Sequence, residues 1–281
     1  MRYVSYRQGN REGLAVRRGA DLVDLGQLDL MRLLSTEPEQ LRSLGKSANG
    51  EILDPATLQY RPPLKAPPKI ICVGLNYADH AAESPYKTVP DYPSFFPRFA
   101  SSLIGHGQPI VRPSVSMQLD FEGEVAAVIG KGGHRISRER ALDHVAGYSI
   151  FNDASLRDYQ FKSSQWTMGK NFDGTGPFGP EFVTADELPA GATGLRLETR
   201  LNGQVVQSAN TADMVFTIAD LVYFASEVLT LEPGDVIVTG TPSGVGFARK
   251  PPLYMKDGDV CEVEVEGLGI LSNPIRDEKS A

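Results

Sequence analysis

From Lys69 to about residue 275 the chain is a succession of short apolar runs set apart by glycine and proline. That spacing limits the fold more than any other feature. KIICVGL, FEGEVAAVIG, HVAGYSIF, LRLETRLNG, GDVIVTG and DVCEVEVEG each have the length and composition of a strand. One clear helical repeat interrupts them, TIADLVYFASEVLTL, in which Thr217 and Asp220 have the spacing of an N-terminal capping box. Many alternating strands with few helices predict an α+β or mainly β domain rather than a doubly wound one. Upstream, RYVSYR, a turn at Gly9 and Asn10, GLAVRR and DLVDL predict a small hairpin sheet over residues 1–26. Residues 29–44 carry helical spacing, and the prolines of RPPLKAPPK at 61–69 suit an extended connector. The expected division is a small N-terminal α/β domain over 1–65 and a larger domain over 66–281.

At 281 residues the chain can bury a sizeable core. No run approaches the roughly 18 apolar residues of a membrane span, so no membrane partner is expected. MRYVSYRQGNREG lacks the apolar centre of a signal peptide, which predicts a cytoplasmic protein. A net charge of −7 without a basic stripe argues against nucleic acid. Cys72 and Cys261 lie in apolar runs and read as buried, reduced thiols. The chain has no G-x-S-x-G elbow, H-E-x-x-H pair or Walker loop, and its histidines and cysteines lack zinc-ligand spacing.

What remains is rich in oxygen. In DFEGE, residues 120–124, Asp120, Glu122 and Glu124 would share one face of a strand. Like charges that close repel unless a cation or water stands among them. FND at 151–153 brings Asp153 to the end of another β run. Three hard oxygens suit Mg²⁺ or Mn²⁺, with Ca²⁺ a third candidate. Taken alone, the E-x-E pair is better explained as a solvated strand face, as we read the similar CEVEVEG at 261–267.

The neighbouring motifs decide between these readings. ICVGLNYADHAAE at 71–83, LDFEGEVAAVIG at 119–130, GYSIFNDASLRDYQ at 147–160, QWTMGKNFDGTGPFGP at 165–180 and PGDVIVTGTPSGVG at 233–246 follow one another as in a known group. With these five motifs the chain resembles the fumarylacetoacetate hydrolase superfamily. The resemblance implies mixed β-sheets rolled around an active site, a divalent metal on Glu122, Glu124 and Asp153, and a homodimer. It leaves Asp120 as a solvent-facing carboxylate or one that backs the ligands. It further implies a His80–Glu83 dyad that activates water, and Lys170 supporting developing negative charge. Arg157, Gln160 and Thr241 are implied to reach the substrate, with Arg98 standing where many members have lysine. His106, His134 and His144 read as structural or surface residues.

The implied substrate is a 2-oxo acid. The leading expectation is hydrolysis of a C–C bond in a 2,4-dioxo acid, an acylpyruvate such as fumarylpyruvate or a diketo-deoxy sugar acid. The alternatives are decarboxylation of oxaloacetate or another β-keto acid, isomerisation of an unsaturated dicarboxylate, and a noncatalytic metal-binding scaffold. The proline-rich stretch at 84–98 follows the dyad and is expected to help form a lid.

Overall fold

The structure is a computed structural model that describes residues 1–35 and 38–279. One large sheet runs through it. Its strands lie in the order Ile52–Leu53, Asp21–Asp24, Arg11–Arg18, Arg2–Gln8, Gly176–Thr184, Val145–Asn152, Gly123–Ile129, Val236–Val238, Ile70–Gly74 and Ser94–Arg98. Val236–Val238 and Ile70–Gly74 are parallel, and the other neighbours along this path are antiparallel. The N-terminal hairpin forms as the sequence predicts and continues the main sheet, with Arg2 opposite Val183 and Tyr3 opposite Phe182. A second sheet contains Gln204–Asn210, Arg196–Leu201, Val260–Val265, Gly269–Asp277 and Ile110–Arg112.

The strand Gly123–Ile129 shows why its sequence is so uniformly apolar. Val125, Ala127 and Ile129 share a core with Leu197, Val263 and Leu271 of the second sheet and with Leu221 and Val222 of the helix Ile218–Val228. Ala126 and Val128 join the opposite core, with Tyr3, Phe178, Phe182 and Leu30 and Leu34 of the first helix. A strand covered on both faces has no position left for a solvated side chain. Fully burying a valine or isoleucine there contributes roughly 1.5–3 kcal/mol. The helix begins at its expected cap, because Thr217 and Asp220 each hydrogen-bond the other's backbone amide.

Two sequence expectations change. The helical run over 29–44 becomes Leu30–Leu34, capped by Asp29, and Pro38–Ser47; residues 36 and 37 lie outside the described set. Four strands of five or more residues carried no clear signal: Ser94–Arg98, Gly176–Thr184, Gln204–Asn210 and Gly269–Asp277. Proline breaks the pattern in three of them, at Pro97, Pro177 and Pro180, and Pro274. Pro97 is tolerated because its strand forms the sheet edge.

Strand direction assembles the site. Gly123 pairs with Asn152, so one strand begins where its neighbour ends. Val236–Val238 and Ile70–Gly74 also end at this edge, and their following loops meet above it.

Candidate metal centre and active site

The backbone does not hold DFEGE as one strand. Leu119–Asp120 pairs with Ser155–Leu156, and Gly123–Ile129 begins after a break at Phe121 and Glu122. Across the break, the Glu122 amide donates to Asn152 Oδ1 at 3.0 Å and the Asp153 amide donates to the Glu122 carbonyl at 2.8 Å. These bonds turn Glu122, Glu124 and Asp153 toward one point. All three are buried, and each offers an oxygen within 4.8 Å of the others.

Their electrostatics are unequal. Burial works against the charge on Glu122, yet Arg157 and Lys170 outweigh it and hold its carboxyl down to about 2. Arg157 Nη2 lies 2.7 Å from Glu122 Oε1, and the Lys170 ammonium bridges Glu122 and Asp153, at 2.7 Å from Asp153 Oδ2. Burial also opposes the charge on Lys170, but Asp153 and Glu122 raise its pKa. Among the described residues, Glu124 has only the Gly240 amide as a hydrogen-bond donor. Burial, then Asp153 and Glu122, push its carboxyl well above the usual range. A divalent cation between these oxygens would remove that penalty and favour the ionised form. A buried, all-oxygen trio therefore fits a divalent metal.

The expected dyad is also assembled. His80 and Glu83 lie on the helix Ala78–Glu83, with His80 Nδ1 3.0 Å from Glu83 Oε1. The Gly244 amide donates to both Glu83 oxygens, at 3.1 and 3.0 Å. His80, Glu83, Glu122, Glu124 and Lys170 line one cleft with about 530 Å³ of unfilled space, part of it open to solvent. Leu75, also in the cleft wall, holds a left-handed φ of 59°, a strained conformation for a leucine.

Several side chains stand elsewhere than the sequence led us to expect. Of the two places expected for Asp120, the structure has the one behind the ligand carboxylates and not the one facing solvent. Asp120 is fully buried, accepts from the Gly246 and Phe247 amides at 2.8 Å each, and takes Arg157 Nε at 2.9 Å. Arg157 therefore pairs with Asp120 and Glu122, and also donates to Gln160 Oε1 at 2.8 Å. Arg157 and Gln160 still line the cleft. Arg98 does not. Its buried guanidinium stands behind Asp153 and donates to Asp153, the Ala154 carbonyl and Thr175. A guanidinium so enclosed supports a carboxylate from behind and does not line the cleft. Thr241 lines the cleft, but its hydroxyl donates to the Gly123 carbonyl and accepts from Gln207.

The loop after Val236–Val238 organises more of the site than its sequence disclosed. Its amides at Gly240, Gly244, Gly246 and Phe247 hold Glu124, Glu83 and Asp120, so they bind the protein's own carboxylates. Gly240 and Gly244 have φ of 97° and 100°, which suits glycine. Gln207 and Asn76 anchor this region. Gln207 Nε2 donates to Thr241 Oγ1 and the Pro242 carbonyl at 2.8 Å each, while its Oε1 accepts from the Gly123 amide. Asn76 Nδ2 donates to the Thr239 carbonyl at 2.7 Å. Neither carries a sequence signal, because each is an amide on a partner distant in the chain. The other histidines serve structure where bonds are formed: His144 bonds the Lys131 carbonyl, and His106 accepts from the Ser272 amide.

The fumarylacetoacetate (FAA) hydrolase C-terminal model matches residues 69–276. The chain belongs to the fumarylacetoacetate hydrolase family. Relatives within the family differ in reaction. A mitochondrial oxaloacetate tautomerase of Xenopus laevis is 42% identical over 98% of this chain and 90% of its own. Among solved structures, the fumarylacetoacetate hydrolase of the psychrophile Exiguobacterium antarcticum has a TM-score of 0.86 at 35% identity, covering 99% of this chain and 100% of that one. The 5-carboxymethyl-2-hydroxymuconate delta-isomerase of Mycobacterium smegmatis has a TM-score of 0.80 at 32% identity, covering 100% of both chains. Membership and the mixed α+β fold thus agree with the sequence reading. The mitochondrial relative overturns the expectation of a cytoplasmic protein. An early apolar segment is a mark of secretion, and its lack does not bear on import into an organelle. The expected primacy of hydrolysis also gives way, since tautomerase and isomerase relatives stand beside the hydrolase.

Proposed function

We propose that the protein is a divalent-metal-dependent enzyme that moves a proton beside the carbonyl of a 2-oxo acid, interconverting the keto and enol forms of oxaloacetate. The observation that carries this reading is the His80–Glu83 pair facing the same cleft as Glu122, Glu124 and Lys170. The similarity to an oxaloacetate tautomerase selects the substrate.

Glu122, Glu124 and Asp153 would hold Mg²⁺ or Mn²⁺, with Ca²⁺ the third candidate. The metal would supply Lewis acidity that lowers the cost of negative charge on the 2-oxo group. Glu83 accepts from His80 Nδ1 and fixes the ring, so Nε2 presents its lone pair to the substrate. His80 then takes a proton from C3, and the same proton is returned to the enolate oxygen, leaving atoms and charge balanced. Lys170 places an ammonium beside the ligand carboxylates and supports charge on that oxygen. Asp120 and Arg98 act through others: the first holds Arg157 and the loop, the second holds Asp153.

The test is ketonisation of enol-oxaloacetate by metal-loaded enzyme, together with exchange of the C3 hydrogens for solvent deuterium. His80→Ala should lower both by roughly two to four orders of magnitude while metal affinity stays intact. A wild-type rate in that variant would remove His80 from the reaction.

Hydrolysis of 2,4-dioxo acids is the second reading, favoured by the same observation, because a base so placed can deprotonate water. Pyruvate release from an acylpyruvate measures it. Decarboxylation of oxaloacetate needs no base, and any such activity should survive in His80→Ala. The noncatalytic scaffold would have no use for the dyad and Lys170 together.

A further inference from the structure

The cleft is walled by rings as well as by charged groups. The lysine and arginine that line the cleft already face carboxylates: Lys170 faces Glu122 and Asp153, and Arg157 faces Asp120 and Glu122; the His80 imidazole is bonded to Glu83. The loop amides are engaged in the same way, on Glu124, Glu83 and Asp120. Beyond these groups the cleft offers a set of rings. Tyr86, Phe96, Phe161, Trp166 and Phe247 all line it, and they come from four separate segments.

These rings form a built wall. The Trp166 indole packs edge-on against Phe96 at 5.4 Å between centroids and lies 5.8 Å from Tyr86. Its Nε1 donates to the Tyr86 hydroxyl at 3.1 Å. Gly74 leaves the space the indole fills, since a Cβ there would lie 2.2 Å from the ring. Phe161 and Phe247 form a second pair at 5.2 Å, and the Arg157 guanidinium carbon lies 5.9 Å from the Phe247 ring. Tyr86 and Phe161 remain 49% and 39% exposed, so they have apolar area left to cover. A flat apolar group gains both buried area and ring contacts in such surroundings. The second carboxylate of oxaloacetate is left with Arg157 Nη2, a buried nitrogen that is ion-paired with Glu122 and makes no hydrogen bond.

We infer that this aromatic part of the cleft is a subsite for an apolar, planar substituent on C3 of the 2-oxo acid, and that the enzyme enolises arylpyruvates as well as oxaloacetate. The inference rests on the enolisation reading for its chemistry. The step is the same proton transfer between C3 and the carbonyl oxygen, with no co-reactant.

Trp166 is the chain's single tryptophan, so its fluorescence reports on the subsite directly. The experiment titrates metal-loaded enzyme with phenylpyruvate and with pyruvate, following that fluorescence and, in parallel, heat. It also measures ketonisation of enol-phenylpyruvate and enol-oxaloacetate. Phenylpyruvate should bind at least tenfold more tightly than pyruvate, and its enol should be ketonised. Phe161→Ser and Phe247→Ser should each cost phenylpyruvate several-fold more in kcat/KM than they cost oxaloacetate. Conversion of oxaloacetate with phenylpyruvate binding no tighter than pyruvate would overturn the subsite and leave the enolisation reading standing. Tight phenylpyruvate binding with neither enol converted would support the subsite and overturn that reading instead.

Discussion

Asp120 offers the sharpest test of how the site is held together. Its carboxylate is fully buried and accepts from three backbone amides, those of Phe121, Gly246 and Phe247, and from Arg157 Nε. Asp120→Asn keeps the shape and removes the charge. One oxygen becomes an NH₂ group that must face a donor already in place. Leaving one partner of a buried ion pair uncompensated costs about 3–5 kcal/mol. Arg157 retains Glu122 and Gln160, so the lower end applies. A stranded amide in the 246–247 turn adds about 1–3 kcal/mol, which brings the expected loss to about 4 kcal/mol. Urea unfolding, with m unchanged and the midpoint lowered, measures it. Asp158→Asn is the control: that carboxylate is half-buried and bonds Ser116 and its neighbour's amide, so its loss should stay near 1 kcal/mol. The same Asp120 variant should lower kcat, because the loop that loses its anchor carries the Gly244 amide on Glu83. A stability loss below about 1 kcal/mol would refute the claim that Asp120 anchors Arg157 and the loop.

Chelation should abolish turnover, and added Mg²⁺ or Mn²⁺ should restore it; full activity in protein shown metal-free by elemental analysis would count against the carboxylate trio. Glu124→Gln should weaken metal binding yet raise the Tm of the metal-free protein. The folded environment raises this carboxyl, so its ionisation erodes stability as pH climbs above the ordinary carboxylate value, and a neutral amide escapes that loss. An unchanged or lower Tm by calorimetry at pH 8 would contradict it. Gly244→Ala forces a side chain onto φ 100° and sets its Cβ 2.3 Å from the Val206 carbonyl, so about 1–3 kcal/mol should be lost and kcat should fall with it. Cys72 and Cys261 should resist thiol reagents until the chain unfolds, since burial raises both and pushes Cys261 up to about 12. Rapid labelling of native protein would show that the core around them opens.

The sequence alone determined what depends on neighbours along the chain. Alternating residues set the strands, Thr217 and Asp220 set a helix start, and His80 and Glu83 meet because they lie three apart on one helix. The order of the motifs carried the family and the carboxylate trio Glu122, Glu124 and Asp153. Strands interrupted by proline were hidden, because their pairing comes from partners far away in sequence. Only the tertiary structure decided which charge meets which. Arg98, Arg157 and Lys170 each had several carboxylates within reach in principle, and the antiparallel pairing of Gly123 with Asn152 brought a particular few together. It likewise turned the glycines of TGTPSGVG toward Glu83, Asp120 and Glu124. Electrostatic partners follow distance in space, which residue spacing along an extended chain does not contain.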